Sequence, residues 1–413
     1  MAECKNLPQI GAGLDHDEWE SLHVRLNSQV TQCLQDPQFF SLYGAALLNT
    51  GRVQQAVDAL ERALLLAPEN GGAMLDYATA LYRSGELLTA LRVNRQLLSR
   101  QDLPEHLRPL LEKRQTYWDG LQTRWSGRVT FLGGHSDNLN TSSDIKDLIL
   151  TIDGQDVLVG IDDRYRPVSG MYSYGRVLVK RTTKLEDQKN TLSVAVQGRF
   201  SELSEADTDE IRLEYSEEYD RKNREDSWSV STSYYRYGDS EEYYNAQGVL
   251  TTSWGRGSCS PYAEGELKSL YFPELEQLND VSLIGRGGIR CGFGRHKYDI
   301  GMAYTTSKEL GTRPGGRRDT VALDLRWQAL LGSGLVLSNF SYSDSSDQRG
   351  YSPLLESGAV RELKNTNLSI QYIYPIMNQL SFHAGYRLQI QKSNLALFST
   401  SSKSVDIGIS YGF

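Results

Sequence analysis

The chain ends Ser404-Val405-Asp406-Ile407-Gly408-Ile409-Ser410-Tyr411-Gly412-Phe413, and the reading of this stretch decides the fold. Val405, Ile407, Ile409, Tyr411 and Phe413 fall on one side of an extended chain, while Ser404, Asp406, Gly408, Ser410 and Gly412 fall on the other, which is the period of two that a strand imposes. In a soluble sandwich the apolar side faces a core. In an outer-membrane barrel it faces lipid, and the small polar side lines the lumen. The stretch alone admits both, so the rest of the chain has to decide.

Of the 413 residues 39% are hydrophobic, but no run approaches the roughly 18 apolar residues of a spanning helix, which excludes a helical membrane protein. A barrel stays open because alternation dilutes its apolar residues. The 24 tyrosines and 37 glycines suit a β-rich protein with aromatic girdles. A net charge of -8 argues against nucleic acid as a partner, since phosphate binding wants a basic surface. The chain as given begins Met1-Ala2-Glu3-Cys4 with no apolar segment behind it, so the barrel reading expects a secretion signal removed beforehand.

Two kinds of periodicity divide the chain into residues 1–122 and 123–413. From Asp17 to Gln35 the apolar spacing is helical, with Asp15, Asp17 and Glu18 at its start. A self-similarity at 34 residues follows: Tyr43 recurs at Tyr77, Gly44 at Ala78, Leu47 at Leu81, Gly51 at Gly85 and Ala56 at Ala90. This is the tetratricopeptide pattern of two antiparallel helices per repeat, spanning Phe40 to Ser99 and capped by the segment from Pro104 to about Leu121. Such repeats present a concave peptide-binding groove, expected here at Tyr43, Leu47, Tyr77, Leu81 and Asn94. The plain alternative is a scaffold that props or plugs its neighbour.

After Trp125 alternation takes over. Strands are expected near 125–133, 171–183, 191–200, 209–219, 227–237, 245–254, 260–270, 281–291, 297–306, 318–327, 334–343, 364–374, 379–390 and 403–413. That is about fourteen, an even number, each close to the roughly 9 to 11 residues that cross a membrane. Connections at one end are short, such as Gly292 to His296 and Pro375 to Asn378; those at the other tend to be longer, such as Gly134 to Gly170 and Asp344 to Leu363. Short periplasmic turns opposite long external loops mark an antiparallel outer-membrane barrel. Leu148 to Ile161 holds a further hairpin around Asp153-Gly154, which would raise the count to sixteen if it joined the barrel. The inward set, Arg199, Arg212, Glu214, Glu264, Glu266, Lys268, Asp324, Arg326 and Arg387 with His383, mixes both signs. It suits either a hydrated path or an ion-paired interior. Cys4, Cys33, Cys259 and Cys291 form no metal-ligand spacing; one early and one late pair suit two disulfides in an oxidising compartment, against four unrelated buried thiols.

No chemistry-bearing constellation emerges. The six histidines are scattered, no GxSxG elbow exists, and the glycine-rich Gly285–Gly288 and Gly311–Arg318 stretches do not lead from strand into helix as phosphate cradling requires. The reading is of a non-enzyme with no cofactor and no metal.

A repeat domain joined directly to a terminal barrel resembles the surface lipoprotein assembly modifiers. The resemblance rests on the repeat residues above, on Asp137-Asn138-Leu139-Asn140 after the first strand, and on Ser393-Asn394 before the last. It implies a periplasmic tetratricopeptide domain and a fourteen-stranded outer-membrane barrel that move a periplasmic client protein or lipoprotein to the cell surface. The implied protein is monomeric. The exopolysaccharide exporters are similar in plan but carry longer repeat arrays and sixteen strands; a passive porin or adhesin with a helical plug is the third reading. Tyr411 and Phe413 resemble the terminal signal read by the barrel assembly machinery.

Overall fold

Asp15 caps the first helix by accepting from the Glu18 amide while Glu18 reaches back to the Asp15 amide, so two of the helix's orphan donors are satisfied reciprocally. The computed structural model describes residues 4, 7, 13–185, 187–238, 241–255 and 257–413; Met1, Ala2 and Glu3 lie outside them. Six helices follow one another: α1 His16–Asn27, α2 Pro37–Asn49, α3 Val53–Leu66, α4 Gly71–Arg83, α5 Leu87–Leu98 and α6 Arg108–Gln122. The first is shorter than its sequence pattern implies. Past Ser28 the chain turns, and the Cys4–Cys33 disulfide ties that turn down. Asp36 then caps α2, with Pro37 supplying the preset φ of its first turn.

The starts of α4 and α5 follow those of α2 and α3 by 34 residues each. Gly51 and Gly85 occupy equivalent turns with φ of 78° and 91°, a backbone region that side chains resist. Phe39, Leu47, Leu60, Leu81, Leu91 and Trp118 fill the space between helices. Gly44 lets α3 approach closely, since a Cβ there would collide with the Leu60 side chain.

The first barrel strand begins at Thr123, directly after α6, with no linker between them. Its strands are β1 Thr123–Ser136, β4 Gly170–Lys184, β5 Gln188–Ser201, β6 Thr208–Arg221, β7 Arg224–Tyr237, β8 Glu241–Trp254, β9 Cys259–Tyr271, β10 Asp280–Phe293, β11 His296–Glu309, β12 Arg318–Leu331, β13 Gly334–Gly350, β14 Val360–Pro375, β15 Leu380–Ser393 and β16 Thr400–Gly412. They form one closed antiparallel barrel of fourteen strands, in which β16 pairs with β1 in the register Phe131 to Ile409 and Gly134 to Asp406.

The hairpin settles the strand count. β2 Asp147–Ile152 and β3 Gln155–Gly160 make a separate two-stranded sheet, so the expected fourteen stands and the sixteen-strand alternative falls. Six residues reach only about 20 Å, too short for a tilted crossing. The hairpin instead bridges Leu150 to Leu355 in the connection after β13. The strands also outrun expectation: β13 continues to Gly350 and β14 starts at Val360, which shrinks the expected Asp344-to-Leu363 loop.

Outward-facing side chains are large and apolar. Phe131, Ile211, Leu250, Leu267, Leu283, Met302, Val321, Ile370 and Ile407 are exposed along the strand middles. Trp125, Trp254, Phe293, Tyr298, Tyr374, Tyr411 and Phe413 stand exposed near the short-turn end, and Phe200, Tyr244, Tyr271 and Tyr304 near the other. An apolar belt between two aromatic girdles is unfavourable in water and favourable in a bilayer. The Cys259–Cys291 disulfide joins opposed positions of β9 and β10 at the short-turn end.

Candidate functional site

Inside the barrel, alternation puts polar side chains on a shared wall. Arg286 of β10 donates to Glu264 of β9 at 3.0 Å and stands 3.9 Å from Asp324 of β12. Arg290 pairs with Asp299 at 3.4 Å, and Asp299 also accepts from the Tyr262 hydroxyl at 2.9 Å, with the guanidinium 4.2 Å above that ring. Glu264 and Asp324, read from the sequence as lumen residues, are thus joined by Arg286, which that reading missed. Glu266 and Lys268 continue the same face of β9, opposite Ile284 and Ser282. On β6, Arg212 lies 3.4 Å from Glu210, and Glu214 faces Ser193 and Ser231 across its neighbours. Arg326 lies opposite Asp299 and Asn339. His383 is buried, 2.7 Å from the Ser410 hydroxyl.

Charge is not the whole lining. Tyr235 and Tyr243 stack across β7 and β8 with centroids 4.7 Å apart, and Phe272 extends the pair at 5.0 Å. Tyr172 donates to Asp406 at 3.2 Å and Tyr174 to Gln197 at 3.0 Å. Aromatic rings therefore cover part of the wall beside the charged residues read from the sequence. Within Tyr234-Tyr235 and Tyr243-Tyr244 one ring must face in and one out, so composition could not assign them.

Arg199 is engaged by backbone rather than left free in the lumen. It donates to the Leu139 carbonyl at 2.7 Å and the Ala206 carbonyl at 2.9 Å, holding the connection after β1 onto the wall. The Asp137–Asn140 stretch is built in rather than loose. Asp137 accepts from the Lys403 amide, Asn138 bonds the Ser142 and Ser401 carbonyls, and Leu139 is fully buried. Ser143 and Asn394 tie the connections before β16 and β14 into the same knot.

In the helical unit the expected groove residues separate. Leu47, Leu81 and Asn94 are 0–1% exposed and belong to the interior, so they cannot meet a client; this corrects the sequence reading. Tyr43 and Tyr77 sit half-buried beside the core. Asn94 donates to the Leu111 carbonyl and to Gln115, and accepts from Arg114 at 2.8 Å. Arg114 lies 4.8 Å over Trp118 and donates to Thr79, while its second terminal nitrogen is buried without a hydrogen bond among the described residues. Burial pushes its guanidinium down to about 10. The nearby Asp76 carboxyl is pushed up to about 6 by burial, against the opposing pull of Arg114.

The Asp76 shift makes the helical unit sensitive to pH. A carboxyl whose folded pKa exceeds its unfolded value of 3.8 contributes stability in full below that value and loses it as pH rises through about 6. Hydrogen exchange of α4 and α6 in the intact protein should slow between pH 7.5 and pH 5, after correction for intrinsic rates, by an amount worth roughly 1–3 kcal/mol. Asp76→Asn should remove that dependence; an unchanged pH response in the variant would refute the assignment.

No protein-family model and no curated protein matches the chain. Among solved structures it is similar to an anion-selective porin from Comamonas acidovorans, at 10% identity over 70% of this chain and 99% of that one with a TM-score of 0.40. It is also similar to the outer membrane channel DcaP of Acinetobacter baumannii, at 11% identity over 70% and 97% with a TM-score of 0.43. A Pseudomonas aeruginosa FadL homologue matches at 12% identity over 70% and 90%, with a TM-score of 0.41.

Proposed function

We propose that the chain is a non-enzymatic outer-membrane translocon, with residues 1–122 a periplasmic tetratricopeptide domain that receives a client protein or lipoprotein. Residues 123–413 are the barrel that delivers the client to the surface. One observation carries this reading: a helical unit with a 34-residue repeat runs without a linker into the short-turn end of a closed barrel that wears an apolar belt. Short turns belong on the periplasmic side, so the chain enters the barrel from the compartment where a client would wait. In this reading lipid surrounds the belt, and the barrel assembly machinery reads Tyr411 and Phe413.

A photocrosslinking residue placed at Tyr43 or Tyr77 in the full chain should capture a discrete secreted or lipidated protein in intact cells. The same residue at the outward Leu65 should capture none. Deleting the chain should leave that client protected from external protease. A client that stays protease-accessible after deletion refutes the translocon.

The inward rings of Tyr235 and Tyr243 favour a second reading, export of a polysaccharide, because stacked aromatic rings suit the apolar faces of sugars. That reading expects loss of a secreted polymer on deletion, with client exposure unchanged.

A further inference from the structure

Several arginines of the barrel interior are neutralised. Arg286 and Arg290 each rest on a carboxylate of a neighbouring strand, and Arg318, Arg313 and Arg361 do the same nearer the far mouth. Arg128 of β1, Arg176 of β4 and Arg387 of β15 have no carboxylate within ion-pair distance among the described residues. All three line one cavity of about 660 Å³ in the barrel interior, in which Asp406 is the sole acidic lining residue against four arginines. Asp406 is already engaged by the Tyr172 hydroxyl, and the fourth arginine, Arg199, by two carbonyls. Each of the three side chains is exposed and lines the cavity, Arg176 beside the Tyr174 hydroxyl, and a guanidinium carries five N–H donors in a planar fork. In a protein of net charge -8 such a concentration of unneutralised positive charge is a local feature that the overall balance does not supply.

We propose that this cavity binds an anionic sugar, a monosaccharide-sized ligand bearing a carboxylate or phosphate. Guanidinium forks meet planar or tetrahedral oxyanions with paired, charge-assisted hydrogen bonds. The same cavity supplies the rings of Tyr174 and Tyr235 for the apolar face of a sugar, and the amides of Gln371 and Gln389 for its hydroxyls. Its volume falls in the range of small-molecule sites. The proposal stands apart from whatever the helical domain receives, because it uses lumen residues alone.

The test is calorimetric titration of the purified full chain in detergent with glucuronate, glucose 6-phosphate, glucose and inorganic phosphate in turn. Glucuronate or glucose 6-phosphate should saturate at one site, more weakly at high salt, while glucose does not bind measurably. The triple variant R128Q/R176Q/R387Q should lose at least about tenfold in affinity. Its heat-modifiable migration on gels should match the parent, since none of the three supports an ion pair. Tyr235→Ala should weaken the sugar ligands and leave inorganic phosphate unaffected. No saturation by either charged sugar, or wild-type affinity in the triple variant, overturns the site. Inorganic phosphate bound as tightly as glucose 6-phosphate overturns the sugar assignment.

Discussion

Asp347→Ala should destabilise the far mouth of the barrel by about 3–5 kcal/mol, the range found when one partner of a buried ion pair is removed. The Asp347 carboxylate is fully shielded and accepts from Arg318 Nε at 2.8 Å and Arg361 Nε at 3.0 Å. Arg361 is itself buried, packed in the corner between the Tyr351 ring at 4.1 Å and the Phe398 ring at 4.5 Å, which meet edge to face. Removing the carboxylate strands two guanidinium groups, and Arg361 cannot swing into water without breaking the aromatic contacts that join the connections before β14 and β16. Hydrogen exchange should therefore accelerate in 351–359 and 394–399 together, with a lowered urea midpoint. Breaking the half-exposed Lys189–Glu218 pair at 2.9 Å should change stability by less than about 1 kcal/mol, because water screens it and side-chain ordering offsets the rest. Equal effects at the two sites would refute the argument from burial.

How much of this was legible in the sequence follows from which environments leave a period behind. Each barrel strand separates two solvents, so Val321, Leu323 and Leu325 alternate with Ala322, Asp324 and Arg326, and all fourteen strands could be placed. Beyond the membrane that contrast fades. β13 keeps pairing through Ser345 and Ser346, where both faces are polar and no alternation marks its end. The hairpin at Leu148–Ile161 stayed ambiguous because a short apolar run says nothing about which edge it joins; the contact with Leu355 that places it comes from a segment some two hundred residues later. Among the helices, the 34-residue spacing located the turns at Gly51 and Gly85 but not the side each residue faces. Leu47 and Leu81 recur because they fill equivalent interior positions. Asn94 looked like a polar groove residue because its partner, Arg114, lies on a later helix that the repeat does not describe. Arg286 was overlooked for a related reason: flanked by Gly285, Gly287 and Gly288 within the expected strand 281–291, it has no alternating neighbours to show which way it faces, and the carboxylates that define its role sit on β9 and β12.

The closing strand makes the sharpest demand on sequence. Gly408→Val should prevent formation of the closed barrel, measured as loss of heat-modifiable migration and of protease-resistant protein in the membrane. Gly408 lies opposite Leu132 in the β1–β16 pairing, and a Cβ there would run into the Phe131 carbonyl and come within 2.7 Å of the Leu132 Cα. Those are backbone atoms of the facing strand, so no rotamer change relieves the overlap; the strands must separate. In lipid each amide and carbonyl so released has no water to bond, at several kcal/mol apiece, which is far more than the native state's margin. Gly385→Ala is the control, because its new methyl would press on the Asp406 side chain, which can rotate away. At the end of the same strand, Phe413 exchanges backbone hydrogen bonds with Gly127 and lays its ring over that glycine. Deleting Phe413 removes two seam hydrogen bonds but introduces no overlap. It should lower the rate of membrane insertion while leaving inserted barrels closed, whereas Gly408→Val leaves the terminal aromatic intact and prevents closure. A Gly408→Val protein that migrates as a closed barrel would mean that the seam tolerates separation, and the closure argument would then fail.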